Sequence, residues 1–337
     1  MMEWTKDKEK RILVKYRFTL TLRIIRVLFA CLFLFWVYMM GVSIAYESLH
    51  LDRKHAFYSK LALEWKRPNI EENFGSTLQS EITPFLTQKI SYPVFQRIGK
   101  EAVPVGEVRL SKRLFTPFSS NELLLDQQPQ MESPFSFYLP EKVDGSGMLA
   151  AEDDVDAWPT LEKVHEGTVA DFAFSTTHFM KPKELFDLLE PYDLDVLWMP
   201  LYAGELKAFE TSYSSSGTGD QLAIQVDSLG FTGGREMSDD YMSEGKMSLS
   251  KDNINANKEM MLTEMNDLLE EESKSYYENF LGLTHLEERY NYLKQNDFQV
   301  YGAVVTGPVK ELLKLKNEKE IRGVQLGELR YWNWEKG

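Results

Sequence analysis

The most suggestive spacing of polar residues in the chain resembles a calcium-binding loop. Asn253, Asn255 and Asn257 occupy positions 1, 3 and 5 of such a loop, and Glu264 occupies position 12. Calcium loops favour an aspartate at position 1 and need a glycine at position 6, where this chain has Asn253 and Lys258. Three neutral amides supply little charge for a divalent cation, whereas asparagine is a favoured helix N-cap. The run therefore predicts a cap for the helix that follows it, and not a metal site.

The other reactive side chains form no catalytic pattern. None of the five histidines lies in a His-x-x-x-His or His-Glu-x-x-His motif. They are His50, His55, His165, His178 and His285. His50 and His55 are five residues apart, so they miss the i, i+4 face of a helix, and we expect both to be solvated.

Motifs for nucleophilic catalysis and for phosphate binding are also missing from the sequence. No serine lies in Gly-x-Ser-x-Gly, and no Walker or GxGxxG loop occurs. Residues 230–234 (GFTGG) lack the Lys-Ser/Thr pair that would follow a phosphate loop. The sequence thus predicts no catalytic residue, no cofactor-binding residue, no metal ligand and no enzymatic activity.

An apolar run near the N-terminus is the clearest structural feature. Residues 27–46 are twenty residues without a charge. A helix rises about 1.5 Å per residue, so this length spans a hydrocarbon core of about 30 Å. A cleavable signal peptide is the alternative, with Ser43-Ile44-Ala45 as a small-x-small cleavage site. The run is longer than a signal core of about 7–15 residues, which favours an uncleaved membrane anchor.

Charge predicts the orientation of this helix. Residues 1–26 carry eight basic and three acidic side chains, for a net charge of +5. The basic residues are Lys6, Lys8, Lys10, Arg11, Lys15, Arg17, Arg23 and Arg26. The whole chain carries −14, so residues 47–337 carry −19. Positively charged flanks stay cytoplasmic, which predicts a cytoplasmic tail and a translocated acidic domain in the cell membrane. The acidic balance also argues against direct binding of nucleic acid by that domain.

Cysteine usage bears on the source compartment. The single cysteine, Cys31, lies inside the apolar run, so the domain after it has no disulfide. Extracellular eukaryotic domains often carry disulfides. The absence fits an exported domain of a Gram-positive bacterium.

The region after the span divides into two parts before the C-terminal domain. Residues 47–118 form a membrane-proximal extracytoplasmic region, in which a juxtamembrane helix over 47–66 is ended by Pro68. Prolines at 84, 93 and 104 predict short strands and turns in the remainder. Residues 119–164 are rich in turn-forming and acidic residues, including the run Glu152–Asp156, and they predict a solvated linker.

Residues 165–334 predict an α+β domain built from two β-α-β units. In the first unit, strands over 169–175 and 193–202 flank a helix that Pro182 opens. In the second, strands over 298–306 and 321–334 flank a helix that Pro308 opens. Two such units in series indicate a ferredoxin-like sandwich, an antiparallel sheet with helices on one face.

An insertion over residues 211–295 separates the two units. Its first part, 211–257, is rich in Ser, Gly and Asn and predicts a mobile loop. Its second part, 260–295, has helical periodicity of apolar residues and predicts helices with a core face.

Four blocks in this domain resemble a known family when they are taken in order. They are EGTVADFAFS over 166–175, YDLDVLW over 192–198, VYGAVVTGPVKEL over 300–312 and LGELRYWNW over 326–334. They resemble the sigma factor regulator family of Bacillus-type bacteria, which are membrane anti-sigma factors. The basic tail, the single span and the region after it are similar to the family's N-terminal module.

The resemblance implies a single-pass regulator without catalytic activity. Its cytoplasmic tail would hold an extracytoplasmic-function sigma factor inactive, and its outer domain would receive a cell-envelope signal. Only 26 residues precede the span, which is shorter than the cytoplasmic segment of the family members that the chain resembles. Either the tail binds alone, or a second membrane protein assists, or the chain is a paralogue that kept the sensor and lost the sigma-binding part. The alternative is a signal-anchored envelope protein that binds a ligand or peptide and has no sigma partner.

Overall fold

The N-terminal part of the structure is one long helix. The structure, a computed structural model, describes residues 6–72, 78–113, 119–126, 135–142 and 145–334. Helix α1, Lys6–Ser48, contains the whole apolar run, and almost all of its side chains are exposed. Within the described residues it is the one helix long and apolar enough to cross a membrane. The helix thus begins well before the apolar run.

A second helix follows after a two-residue break. Helix α2 is Leu51–Lys66, and the residue before it, His50, has a left-handed backbone with φ 46°. The helix ends because Pro68 disfavours helical backbone in Arg67, which is extended with ψ 104°. The predicted juxtamembrane helix and its end before the proline are confirmed.

Four antiparallel strands form the first sheet, in the order β1-β2-β3-β4. They are β1 Gln79–Ile82, β2 Thr87–Ile98, β3 Glu101–Arg113 and β4 Ser120–Leu125. The predicted short strands are wrong for β2 and β3, which run for 12 and 13 residues. Pro93 in β2 lies beyond the last β1 pair, at Ser91, and Pro104 in β3 lies beyond the last β4 pair, at Gly106. Each proline thus sits where its strand is paired on one side only, so its missing N–H breaks no ladder bond.

The described part of 119–164 packs against the rest of the molecule. It contains β4, the buried side chains of Phe135, Phe137 and Leu139, and helix α3, Ala157–Lys163. The acidic run Glu152–Asp156 is partly engaged, since Asp153 Oδ1 accepts a hydrogen bond of 3.0 Å from the Val324 amide.

The first predicted β-α-β unit is present. It consists of β5 Thr168–Met180, α4 Pro182–Leu189 and β6 Asp195–Tyr202. Pro182 takes the first helical position, and Glu184 accepts a hydrogen bond from the Lys181 amide. The proline therefore opens α4 as predicted, with an acidic residue of the first turn supporting the helix start.

The insertion between the units is more regular than predicted. Its first part contains five short strands, so the expectation of a loop over 211–257 is wrong. They are β7 Tyr213–Ser216, β8 Ala223–Val226, β9 Leu229–Phe231, β10 Arg235–Met237 and β11 Glu244–Lys246. The second part is helical as predicted: α5 Ile254–Glu271, a π-helical turn Ser275–Phe280 and α6 Leu286–Gln295.

The second unit completes a five-stranded antiparallel sheet. It consists of β12 Gln299–Pro308, α7 Val309–Lys314 and β13 Ile321–Tyr331. Pro308 ends the strand and caps α7 instead of lying inside it. The sheet order is β13-β5-β12-β6-β9, so β12 lies between β5 and β6. The described chain is thus an α+β protein with one long apolar N-terminal helix, as expected.

The five-stranded sheet is buried on both faces. Phe172 and Phe174 of β5 lie in the main hydrophobic cluster, which also contains residues of α4 and α7. Ala173, between them, lies in a second cluster with Phe137 and Trp198. Alternate residues of a strand point to opposite faces, so the helices cover one face and the segment around Phe137 covers the other.

Candidate functional site

Helix α2 is the element that joins the membrane-length helix to both sheets. All eleven residues from His55 to Trp65 are buried, and α2 contacts β2 and β9. The Trp198 indole N–H of β6 donates a hydrogen bond of 3.0 Å to the Glu64 carbonyl. A displacement of α1 along or about its axis would therefore act on the interior of the domain.

The prediction of a solvated His55 is wrong, because α2 is enclosed by other elements. His55 Nδ1 lies 2.8 Å from the Tyr276 hydroxyl, in the π-helical turn. Burial, with added repulsion from Lys112 and Lys54, lowers the pKa of His55 to about 3. The imidazole is thus neutral at physiological pH. His55 is five residues from His50, so the two histidines do not share the i, i+4 face of a helix that a two-histidine metal site uses.

Charged side chains of α2 meet the β10–β11 hairpin in a buried group that we call the α2 ion cluster. Its members are Lys60, Glu64, Glu71, Glu72, Arg235, Glu244 and Lys246. At its centre, Arg235 is fully buried and contacts Glu64 at 2.5 Å, Glu72 at 3.4 Å and Glu244. Three cations thus face four carboxylates, and most of them are removed from water.

Two lysines complete the α2 ion cluster. Lys60 lies 3.3 Å from Glu72 and 3.2 Å from Glu244. Lys246 lies 3.4 Å from Glu64 and 2.5 Å from Glu71. Each lysine therefore bridges the segment around α2 to β11, so the hairpin is tied to the helix at several points.

Mutual attraction decides the ionisation of the cluster. Burial alone would raise the pKa of Glu64, but the charges of Arg235 and Lys246 outweigh it and lower that pKa. Burial alone would lower the pKa of Arg235, but Glu64 and Glu72 raise it. Both groups stay charged at neutral pH. A buried pair of this kind is sensitive to the loss of either partner, because the remaining charge is left uncompensated.

A second polar junction lies beside the cluster. Asp171 of β5 accepts hydrogen bonds from Asn69 Nδ2 at 2.9 Å, from Gln96 Nε2 at 2.7 Å and from the Glu328 amide at 2.5 Å. Burial raises the pKa of Asp171, and these donors partly offset the rise. The segment after α2, strand β2 and strand β13 therefore converge on one carboxylate.

A cleft of about 430 Å³ opens between these junctions. Its lining includes Arg67, Asn69, Arg97, Trp198 and Lys246. The half-buried Arg67 side chain makes no hydrogen bond or ion pair with the part of the chain that the structure describes. The cleft thus combines an apolar wall with a cation that could face an anionic group.

The asparagine run has a structural role. Asn253 lies at the N-cap position of α5, but its side chain accepts no hydrogen bond from the helix and donates instead to the Ser248 carbonyl at 3.2 Å, so the predicted side-chain cap is wrong. Asn257 Oδ1 accepts from the Gly234 amide at 3.0 Å. Glu264 is buried farther along α5. Across residues 6–72, 78–113, 119–126, 135–142 and 145–334, no three His, Cys, Asp or Glu side chains are grouped to hold a metal.

Sequence reasoning missed the α2 ion cluster. Contacts within it join residues as many as 184 apart, and each member lies among ordinary charged residues of the sequence. No spacing rule joins them, because the contact depends on the insertion folding back onto α2. The clearest sequence signal is an arginine between two glycine-rich turns, which by itself predicts nothing.

Comparison with known proteins gives matches over both parts of the chain. Residues 10–103 match the family described as Sigma factor regulator N-terminal, and residues 161–328 match Sigma factor regulator C-terminal. The chain is 23% identical over 266 residues to the "Probable anti-sigma-M factor YhdL" of Bacillus subtilis (strain 168). That alignment covers 77% of this chain and 64% of the relative, which is less than two thirds of its length. No solved structure matches the chain.

The two family matches occur in the same order as the modules inferred from the sequence blocks. The N-terminal match takes in most of the basic tail, the apolar run, α2 and the β2 hairpin, and the C-terminal match takes in the five-stranded sheet. Together they cover most of the chain and confirm the resemblance. The chain belongs to the sigma factor regulator family.

Proposed function

We propose that this protein is a single-pass membrane anti-sigma factor that holds an extracytoplasmic-function sigma factor inactive. The observation that carries the proposal is the N-terminal family match, which joins the basic tail, the apolar run and buried α2 in one unit. Its relative in Bacillus subtilis bears the name of a probable anti-sigma-M factor. The protein acts by binding and is not an enzyme.

The sigma factor binds the cytoplasmic tail. Residues Lys6–Arg26 belong to α1, and the basic side chains from Lys8 to Arg26 are exposed. As a helix, these 21 residues reach about 31 Å, at about 1.5 Å per residue. That length lays one helix against an acidic helical partner. A second membrane protein in the complex would extend the contact.

The span is uncleaved, with the tail in the cytoplasm and residues 47–337 outside, and the +5 charge of the tail supports this orientation. The outer domain receives an envelope signal. Helix α2 and its ion cluster transmit that signal, because α2 is continuous with α1 except at the break before Leu51. A change at the cleft or at the β10–β11 hairpin would then displace α1 in the membrane.

The outer domain has a ferredoxin-like sandwich at its centre. Support comes from the strand order β13-β5-β12-β6, with α4 and α7 on one face of the sheet. The outer part of the chain divides into a membrane-proximal region over 47–118, a linker over 119–164 and a C-terminal domain over 165–334. Support for a boundary between the first and the last comes from the two family matches, which end at residue 103 and begin again at 161.

A capture experiment tests the sigma partner. Lys8, Arg11 and Lys15 lie on one face of α1 by their spacing, so the full chain carrying K8Q, R11Q and K15Q removes a basic stripe and leaves Arg23 and Arg26 beside the span. The matched control carries K163Q, K183Q and K319Q, three exposed lysines far from the tail in sequence.

Wild type and control should capture a sigma factor from the host membrane fraction. The tail variant should bind it roughly tenfold more weakly, equivalent to about 1.4 kcal/mol. Capture of no sigma factor by the wild type, or equal capture by the tail variant, contradicts the proposal.

A second candidate is an envelope ligand- or peptide-binding protein with no sigma partner. The cleft of about 430 Å³, which has Arg67 in its lining, favours it. Exchange of residues 1–26 for an unrelated basic helix separates the two functions. Full function of the exchanged protein favours ligand binding alone, whereas loss of regulation favours the anti-sigma role.

A further inference from the structure

The β1–β2 turn contacts the apolar run of α1. The Tyr38 hydroxyl donates a hydrogen bond of 3.0 Å to the Pro84 carbonyl, across 46 residues of sequence. Met39, Val42 and Tyr46 are half-buried on one face of α1, whereas the other residues of the run are exposed. The last two turns of the run are therefore partly covered by protein on one side, and the turn containing Pro84 lies at that depth.

The turn itself is apolar at its tip. Residues Thr83–Leu86 (TPFL) carry no charge, and the Phe85 side chain is 90% exposed in the structure. A phenylalanine side chain at this exposed tip stays in contact with water, so it adds almost no buried apolar area to the fold. Beside a membrane-spanning helix, the same side chain would face lipid.

Backbone hydrogen bonds make the turn tolerant of a dry environment. The Leu86 amide donates to the Thr83 carbonyl at 3.0 Å, and the Thr83 amide donates to the Thr87 carbonyl at 2.9 Å. The Thr87 amide donates to Thr83 Oγ1 at 3.2 Å. Pro84 has no N–H, and its carbonyl is satisfied by Tyr38. The N–H and C=O of Thr83, the C=O of Pro84 and the N–H of Leu86 are thus paired, which lowers the cost of moving these groups out of water.

Position 86 of the turn carries a leucine in a strained backbone conformation. Leu86 has φ 56°, a left-handed conformation that glycine adopts freely and that is uncommon for a bulky residue. A glycine would make the same turn without strain, but it would supply no apolar surface. The presence of leucine there points to a requirement for that surface, since strained residues concentrate at functional positions.

The depths of the two segments can be compared. Tyr38 and Tyr46 are eight residues apart, which is about 12 Å along a helix at about 1.5 Å per residue. Glu81 pairs with Lys89, and two strand steps, about 7 Å at about 3.3 Å each, separate this pair from the start of the turn at Thr83. The charged pair therefore lies nearer the membrane surface than Phe85 when Phe85 lies level with Tyr38.

We propose that the β1–β2 turn, Thr83–Leu86, inserts into the bilayer beside α1, with Phe85 and Leu86 in lipid and Glu81–Lys89 at the headgroups. This inference rests on the proposed membrane span of α1. It assigns a lipid-binding surface to the domain that follows the span. Through Tyr38, that surface also contacts the helix that crosses the membrane, so the seating of the domain on the lipid and the position of α1 are linked.

Site-directed labelling of the full chain in liposomes tests this proposal. The native Cys31 is the only cysteine and lies inside the run, so a nitroxide there reports the span itself. In a C31S background, F85C reports the turn tip and E81C reports its base. V155C is the matched water control, because Val155 is an apolar residue 82% exposed in the C-terminal part of the chain. Because the same nitroxide is used at all four positions, its own affinity for lipid does not contribute to the differences between them.

Collision with oxygen, which concentrates in lipid, is compared with collision with an aqueous nickel chelate. The ratio of the oxygen collision rate to the nickel collision rate should be severalfold higher at positions 31 and 85 than at 155. Position 81 should give a ratio between these values. A ratio at 85 equal to that at 155, with position 31 in lipid, overturns the insertion and leaves the span intact. A water-like ratio at position 31 overturns the span, and the proposed membrane function with it.

Discussion

Arg235 Nη2 donates to Glu64 Oε1 at 2.5 Å, although the two residues are 171 apart in sequence. The arginine belongs to β10 of the insertion, and the glutamate belongs to the helix that follows the membrane-length helix. Both side chains are buried, at 0% and 5% exposure. Strand β10 of the insertion is therefore fixed to α2, the helix that follows α1 after a two-residue break, and the opposite charges of this buried contact hold the two together.

Replacement of Arg235 by methionine should destabilise the domain strongly. The change keeps much of the side-chain volume but leaves Glu64, Glu72 and Glu244 without their shared cation. Removing one partner of a buried ion pair costs about 3–5 kcal/mol, because the remaining charge stays out of water. Urea unfolding of the full chain in detergent, followed by tryptophan fluorescence, measures the loss.

Arg109→Met is the control for that prediction. Arg109 also pairs with a glutamate, Glu107, but its side chain is 62% exposed. Exposed pairs contribute only about 0–1 kcal/mol, so this variant should unfold almost as the wild type does. Equal losses of unfolding free energy in the two variants would show that the buried cluster contributes no more to stability than an exposed ion pair does.

The sequence predicts those helices and strands whose secondary structure depends mainly on residues nearby in the chain. Strands β5, β6 and β12 are long apolar runs, α4 begins at a proline, and α2 ends before Pro68. Local patterns of this kind need no knowledge of the tertiary contacts. The same reasoning fails for β7 to β11, because their Ser- and Gly-rich sequences form strands through pairing that the local composition does not favour.

The candidate site is harder to predict than the fold. Buried His55 and buried Arg235 both look like surface residues in the sequence, because charged and titratable side chains are seldom fully buried without partners. Their partners, Tyr276 and Glu64, are distant in the chain. Only the folded arrangement shows that the desolvation of each group is offset.

Glu264 should make stability fall as pH rises through the neutral range. Burial, reinforced by Asp267, Glu236 and Glu271, raises the pKa of this carboxyl to about 8. The unfolded chain loses the proton near about pH 4.3, so the folded state alone holds it between about 4.3 and 8. Its stabilising effect is complete below the unfolded pKa, declines as pH rises, and is lost above pH 8.

Glu264→Gln keeps the side chain neutral at every pH and should remove that decline. The variant should match the wild type near pH 5 and exceed it near pH 9, by on the order of 4 kcal/mol. Unfolding curves at both pH values measure the difference. Glu259→Gln, at an exposed position of the same helix, is the control and should show no such change between the two pH values. A Glu264→Gln effect that is equal at both pH values would contradict the buried neutral acid.

Gly230→Ala should disturb the contact between β9 and β6. A Cβ at position 230 would lie 1.9 Å from the Trp198 indole nitrogen, which donates to the Glu64 carbonyl. The indole must move, and overpacking of this kind costs about 1–3 kcal/mol. Gly147→Ala is the control, since no atom lies within 4 Å of its Cβ, and it should change stability by less than about 0.5 kcal/mol. Urea unfolding of both variants decides the matter, and equal stabilities would show that Trp198 relaxes without cost.

His50 should set the angle between α1 and α2 through its left-handed backbone. Its φ of 46° and ψ of 33° break the helix between Ser48 and Leu51. Asparagine adopts this conformation more readily than most residues, whereas a β-branched valine strongly avoids it. His50→Asn should therefore preserve the break, and His50→Val should shift or broaden it. A nitroxide at native Cys31 and a second at V155C give the distance distribution across the connector. A narrow distribution unchanged in His50→Val would mean that the packing of α2, and not the backbone of His50, fixes the direction in which α1 leaves the domain.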